Sequence, residues 1–407
     1  MRRRTLLDDR LAFVESDYLT LYPGVAEAVR SGEFSRGWAH YSEHGRNEGR
    51  HLCLFDEAFY LRSYALAVME LREGRAESPI DHYVLLGRGR GYLPHPAAAR
   101  PINAAGGLWI DAADAIDRVQ GRQATGQISD VQAERLNMFV RDGYVALKAA
   151  VPDALLEAAL ADLDRAYQGG IPDLRFTCRG LVTEAAPWRP EMLPRPAKAL
   201  DIHYMSKPIR RLIFAPAICE FLALIFESKA FATQSLGFLR GSEDAVHQDT
   251  SYVPYTCATS FAASWIALED VTEGGGELFY YPGSHRLPDF YYDKHYKSIH
   301  EASRINQSND MSEQIAEKIC WLERNAVEYG LKREIFRPGR GDVLIWHADL
   351  VHGGGPVSPS LTRKSIVTHY CPRHHAPTFA EMHQVGFHDH DGHAFTSSHY
   401  VGKPVLD

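Results

Sequence analysis

Two hydrophobic patterns divide the chain. Up to about residue 226, apolar residues recur every three or four positions, the spacing of helices with one buried face. From Ala230 onward they come in short runs bounded by Gly, Pro and Asp, which reads as strands joined by turns. In the helical part, Leu155, Leu156, Ala159, Leu160 and Leu163 form one stripe and predict a helix over 153–167. An earlier helix is expected to start at a cap on Ser129 or Asp130, to bury Leu136, Phe139 and Val140, and to turn at Asp142-Gly143 into a strand over 144–147. Residues 212–226 read as one buried helix, too short to span a bilayer. Later strands are expected at 231–239, 245–252, 260–268, 277–281, 342–346 and 365–370. Many short strands after helices predict an α+β chain whose core is an all-β barrel with helical decoration.

The first hundred residues repeat themselves. Phe13, Tyr18, Tyr22, His40, Tyr41, Gly45, Arg46 and Gly49 recur as Phe55, Tyr60, Tyr64, His82, Tyr83, Gly87, Arg88 and Gly91, each 42 residues later. A period of that size marks stacked supersecondary units. Residues 1–96 are therefore expected to be a small all-α domain of two copies. The Pro-, Ala- and Gly-rich stretch 97–128 reads as a linker, and 129–407 as the second domain. Within that domain, 286–338 is a mainly helical, polar insertion carrying Tyr291, Tyr292, Tyr296, Trp321 and Tyr329. It reads equally as a lid over a site and as a surface excursion.

Composition narrows the function. A formal charge of −8 offers no basic field for nucleic acid. Six scattered cysteines without a Cys-x-x-Cys pair fit reduced thiols and a cytoplasmic location. No signal peptide or transmembrane segment is legible.

Chemistry concentrates in a few positions. In His247-Gln248-Asp249, extended backbone would turn the imidazole and the carboxylate to one side. With a distant second His they would form the two-His, one-carboxylate triad of non-haem iron. The run from Asp342 to Pro356 supplies two candidates. His352, before three glycines, is preferred, and His347 is held in reserve as a packing residue. Eleven residues later, Arg363 can grip a carboxylate through two parallel charge-assisted hydrogen bonds. Zinc would also accept His, His and Asp, but has no use for such an arginine.

His247-x-Asp249, the run Tyr281-Pro282-Gly283-Ser284-His285-Arg286, then Gly341-Asp342, His352 and Arg363 resemble, in this order, the phytanoyl-CoA dioxygenase family. The resemblance runs from about 128 to about 370 and implies a double-stranded β-helix (jelly-roll, cupin-like) core. It implies that His247, Asp249 and His352 bind Fe(II), that Arg363 binds the distal carboxylate of 2-oxoglutarate, and that Gln234 lines the cosubstrate site. O₂ would be the second cosubstrate, and a small-molecule or carrier-linked substrate would be hydroxylated with release of succinate and CO₂. Halogenating relatives lack the carboxylate ligand, so Asp249 favours hydroxylation.

The repeats resemble a short helical unit found beside bacterial glycosyltransferases. That implies a protein partner or a homo-oligomer, and a substrate from glycan or secondary metabolism. A different class of function, a silent oxygenase-fold scaffold working through its repeats, is the alternative. The tail Phe387–His393 reads as a solvated segment. Ser284-His285 and His374-His375 read as structural or substrate-facing, and Arg286 as an anion contact or a surface ion pair.

Overall fold

In a computed structural model, the described residues are 4–87, 94, 108–112, 114–182, 184–253, 259–292, 297–306, 310–373, 386–400 and 404–405. His374, His375, Tyr296, Arg88 and Gly91, named above, lie outside them. The chain divides into two compact units. The first gathers 1–101, 111–127 and 324–331, and the second gathers 102–110, 128–323 and 332–407. The stretch expected to be a linker is not structureless: it holds a 3-10 turn Trp109–Asp111 and a ten-residue helix Ala115–Ala124. Val119 of that helix is fully buried, which gives an amphipathic segment a reason to fold.

The internal repeat is structural as well as sequential. Helices Glu15–Leu21, Pro23–Arg30 and Gly37–His40, followed by a π turn Tyr41–Gly45, recur as Glu57–Ser63, Ala65–Arg72, Pro79–His82 and Tyr83–Gly87. Tyr18 and Tyr60 are fully buried, and their hydroxyls meet Nδ1 of His40 at 3.0 Å and of His82 at 2.8 Å. Gly45 is required there, since a Cβ at that position would lie 2.2 Å from the Tyr18 hydroxyl. In the first copy the helical run is broken at Tyr22, because Pro23 opens a new helix.

Among the described residues the second unit holds thirteen strands. In chain order they are β1 (Tyr144–Leu147), β2 (Arg175–Cys178), β3 (Ala186–Pro187), β4 (Ala197–Leu200), β5 (Ala230–Phe238) and β6 (Ala262–Ala267). There follow β7 (Leu278–Tyr280), β8 (Glu334–Phe336), β9 (Val343–His347), β10 (His352–Gly354), β11 (Ser365–Pro372), β12 (His388–His390) and β13 (His393–Phe395). The large sheet runs β1-β9-β6-β11-β5-β4-β2-β3, with the β12–β13 hairpin joined to β5. A small sheet runs β10-β7-β8. Every pairing in both is antiparallel except β13 with β5. The fold is α+β, with a double-stranded β-helix core and a helical N-terminal region.

Alternation sorts the strand residues into two layers. Ala263, Trp265 and Ala267 of β6 and Leu344 and Trp346 of β9 cluster with Leu278, Tyr280 and Phe336 of the small sheet. Helices cover the other face: Phe139 of helix Asp130–Asp142 packs on Phe221 of helix Pro216–Phe226 at 5.3 Å, and Tyr370 of β11 donates to Ile213 O. With both faces covered, β6 and β9 are buried at every residue, hence their largely apolar sequence, broken only by Ser264 and His347. The segment 212–226 is not one helix. Lys207–Ile213 ends, and Pro216 starts the next at the position where its missing N–H costs nothing.

Three further expectations change. Residues 245–252 form no strand: His247 makes one isolated bridge to His352, and Asp249–Ser251 is a 3-10 turn. The insertion 286–338 ends in a core strand, β8, which pairs with β7. The tail is no loose segment, because β13 aligns Ala394 and Phe395 with Phe231 and Ala232 of β5.

Candidate metal centre

His247 and His352 are brought together by their own backbones. Each N–H donates to the other's carbonyl, at 2.8 and 3.0 Å, and the ring centroids lie 4.3 Å apart. Both rings are oriented alike. Nδ1 of His247 donates to Ala245 O at 2.7 Å and Nδ1 of His352 to Leu350 O at 2.9 Å, each a carbonyl two residues upstream. A protonated Nδ1 leaves Nε2 as the bare lone pair, the tautomer a metal ligand needs. Gly353 lets the chain approach this closely, since a Cβ there would meet Asp244 O at 3.0 Å and the Phe279 ring at 2.5 Å.

Asp249 completes the group. Gln248 keeps extended backbone (φ −118°, ψ 138°), so His247 and Asp249 share a side although the strand is absent. Asp249 Oδ1 lies 3.7 Å from His247 Nε2 and 3.6 Å from His352 Nε2. The three ligand atoms lie within 4.8 Å of one another, the one such His/Cys/Asp/Glu group among the described residues. The other oxygen, Oδ2, accepts from Trp346 Nε1 at 2.8 Å and faces His369 Nε2 at 3.3 Å. One oxygen is thus occupied and the other presented.

Electrostatics favour a cation. Burial pushes the Asp249 carboxyl up, but the neighbouring imidazoles of His352 and His369 outweigh it and hold the group below the usual carboxylate range. Burial, reinforced by His352, pulls His247 down to about 4. At neutral pH the pair is a neutral imidazole and an anion, the protonation states from which a metal is bound.

A cavity of about 570 Å³ is lined by all three residues and by Gln234, Trp265, Arg363 and His369. Arg363 leads into β11, and its guanidinium is 2% exposed. Its Nη1 donates to Gly276 O at 2.7 Å, while Nε has no hydrogen-bond partner among the described residues. Phe238 and Trp265 flank it at 5.7 and 5.5 Å, and burial draws its pKa down to about 10. No carboxylate among the described residues pairs with it. A buried guanidinium without a counter-ion is costly unless a ligand supplies one. Gln234 aligns with His369 across β5 and β11, beside a register shift at His369/Tyr370. Such bulges re-aim side chains.

The other candidates fall elsewhere. His347 sits at an odd position of β9 and faces the helices, fully buried, with its ring 6.3 Å from Phe139 and 5.2 Å from His285. Its Nδ1 accepts from Asp349 N. Arg286 donates from Nε and Nη2 to Val140 O near the end of helix Asp130–Asp142. His390 and His393 of the tail lie flat against Phe214. Sequence reasoning missed Trp346 and His369. Strand alternation from Leu344 and from Val367 would have pointed both toward the site.

Fold and geometry together define a class: a jelly-roll metal centre with two imidazoles, one carboxylate and a buried arginine sharing the cavity. The chain belongs to the Phytanoyl-CoA dioxygenase (PhyH) family, whose model matches residues 139–365. A probable phytanoyl-CoA dioxygenase of Caenorhabditis elegans is 30% identical over 131 residues, 32% of this chain and 36% of that protein. The peroxisomal phytanoyl-CoA dioxygenase of Homo sapiens is 21% identical over 248 residues, covering 58% of this chain and 67% of its own length. A solved structure of the epimerase SnoN in complex with Fe3+, alpha ketoglutarate and nogalamycin RO aligns with 20% identity and a TM-score of 0.45, over 68% of this chain and 96% of that one.

Proposed function

We propose that the protein is an Fe(II)- and 2-oxoglutarate-dependent dioxygenase that hydroxylates a C–H bond of a small-molecule or carrier-linked substrate. The observation that carries this reading is the Arg363 guanidinium, buried without a carboxylate partner in the cavity that also holds His247, Asp249 and His352. Zinc would use the triad and leave the arginine unexplained.

His247 and His352 would hold Fe(II) through Nε2 and Asp249 through Oδ1. Ferrous iron, when bound with 2-oxoglutarate and O₂, supplies the oxidising chemistry, in which the keto acid leaves as succinate and CO₂ and one oxygen atom enters the substrate C–H bond. Arg363 donates its free N–H groups to the distal carboxylate of 2-oxoglutarate, which supplies the missing counter-charge. Gln234 lines the same cosubstrate region. Trp346 holds Asp249 Oδ2, so Oδ1 would be the oxygen offered to the ion. The apolar walls from Leu236, Phe238, Trp265 and Val367 keep water from the reacting atoms.

The test is direct. Purified protein is dialysed against Fe(II) without oxygen, then supplied with 2-oxoglutarate and air, and succinate is measured. One iron per chain and slow succinate release without added substrate are expected. Failure to bind iron, together with no succinate, would sink the reading.

A further inference from the structure

The turn that carries Asp249 is held from the insertion by two buried lysines. Lys318, 3% exposed on helix Ser312–Glu328, donates to Ser251 Oγ at 2.6 Å. Its ammonium also lies 5.5 Å from the Tyr292 ring centroid and 5.9 Å from that of Phe290. Lys297, 9% exposed, donates to the carboxylate of Asp349, and that carboxylate accepts from Thr250 Oγ1 at 2.6 Å. Asp249, Thr250 and Ser251 make up one 3-10 turn, and each of its side chains is gripped: the insertion holds Ser251 directly through Lys318 and braces Thr250 through Lys297 on Asp349.

Burying an ammonium is costly unless it is well partnered, which makes these two positions poor choices for packing alone. The same helix reaches the cavity. Ile315 and Ile319, four residues apart on one helical face and either side of Lys318 in the chain, both line the cavity with His247, Asp249 and His352. Phe290, Tyr292, Ile299, Ala302 and Met311, with Ile315 and Trp321 packed on them, give the insertion its own apolar cluster. It is a built wall rather than a surface excursion.

We propose that Lys318 and Lys297 are positioning residues for the Asp249 carboxylate, and that helix Ser312–Glu328 joins the substrate-facing wall to the metal-side turn. An apolar part of the substrate packed on Ile315 and Ile319 then presses on the element whose Lys318 holds Ser251, two residues from the ligand. This rests on the reading of Asp249 as a metal ligand. It assigns the insertion a specificity role: the wall selects an apolar substrate surface and passes its presence to the metal side.

The test uses the full chain without oxygen, with Co(II) as a spectroscopic probe of the triad. Lys318→Met should weaken Co(II) binding about tenfold, the low end of what losing a supporting partner costs, and should change the visible spectrum of the bound ion. Lys318→Arg should restore most of both. Amide exchange at Thr250–Val253 in the metal-free protein should quicken in the Met variant alone. A purely structural lysine would lower thermal stability and leave affinity and spectrum as they were, which would overturn the proposal. Should Lys318→Met not fold, Ser251→Ala removes the acceptor instead, with the same expected loss of affinity. Wild-type protein that takes up no Co(II) would overturn the metal reading itself, and this inference with it. That failure shows in the unmodified chain rather than in a variant.

Discussion

Histidines are held in opposite ways in the two units. In the repeats, His82 is closed on both sides: Nδ1 meets the Tyr60 hydroxyl at 2.8 Å and Nε2 meets Glu70 at 2.9 Å. In the metal centre, His247 and His352 have Nδ1 tied to a backbone carbonyl, and Nε2 faces the Asp249 carboxylate oxygen across more than hydrogen-bond distance. His82 and His352 are buried and His247 is half-buried. The difference is which nitrogen the fold leaves available, and that decides whether an imidazole packs or ligates.

The largest effect that separates the two comes from Asp249→Ala. Fe(II) affinity, measured by anaerobic equilibrium dialysis, should fall by well over the roughly 100-fold upper range for loss of a supporting partner. Unchanged affinity would mean the three side chains are not a ligand set. Arg363→Met should leave Fe(II) affinity nearly intact while costing about 2–5 kcal/mol of 2-oxoglutarate binding, roughly 30-fold or more in Kd. The same change should raise the melting temperature of the ligand-free protein, because it removes a buried charge that lacks a carboxylate partner. A variant that binds 2-oxoglutarate normally would place the cosubstrate elsewhere.

A further buried histidine, His203, sharpens the contrast through pH. It sits between Ser235 Oγ at 2.6 Å and Thr396 O at 2.9 Å, and burial lowers it from 6.5 to about 4 against the pull of Asp201. Between those two values the unfolded chain takes up a proton that the folded chain refuses, so stability is full above about 6.5 and declines as the pH falls toward 4. Denaturant unfolding across that window should show the decline, and His203→Asn should make it shallower. The smallest effect belongs to the repeats. Tyr60→Phe strands His82 Nδ1 and should destabilise the first unit by about 1–3 kcal/mol with no change in iron affinity. A loss of iron affinity there would break the division of roles.

Much of the site is written locally. His247 and Asp249 lie two apart, and extended backbone at Gln248 turns them to one side. The carbonyls that fix both tautomers are also two residues away, at Ala245 and Leu350. Repeat boundaries follow the 42-residue offset because each copy carries its own Tyr-His bond and its own helix starts. Where local signals failed, a distant partner overrode them. Residues 245–252 have the composition of a strand, yet Thr250 and Ser251 bend away because Asp349 and Lys318 claim their hydroxyls.

From the sequence alone came the candidate ligand types, their order along the chain, the arginine eleven residues beyond the second histidine, and the duplicated helical unit. Spacing determines which side chains share a face, and these features need nothing more. Tertiary structure decided between His347 and His352, because pairing β9 in the large sheet turned odd positions toward the helices. It also brought Trp346 and His369 to the second carboxylate oxygen and set two lysines of the insertion behind the metal-side turn. Those groups come from positions tens of residues from Asp249, and only the closed barrel places them beside it.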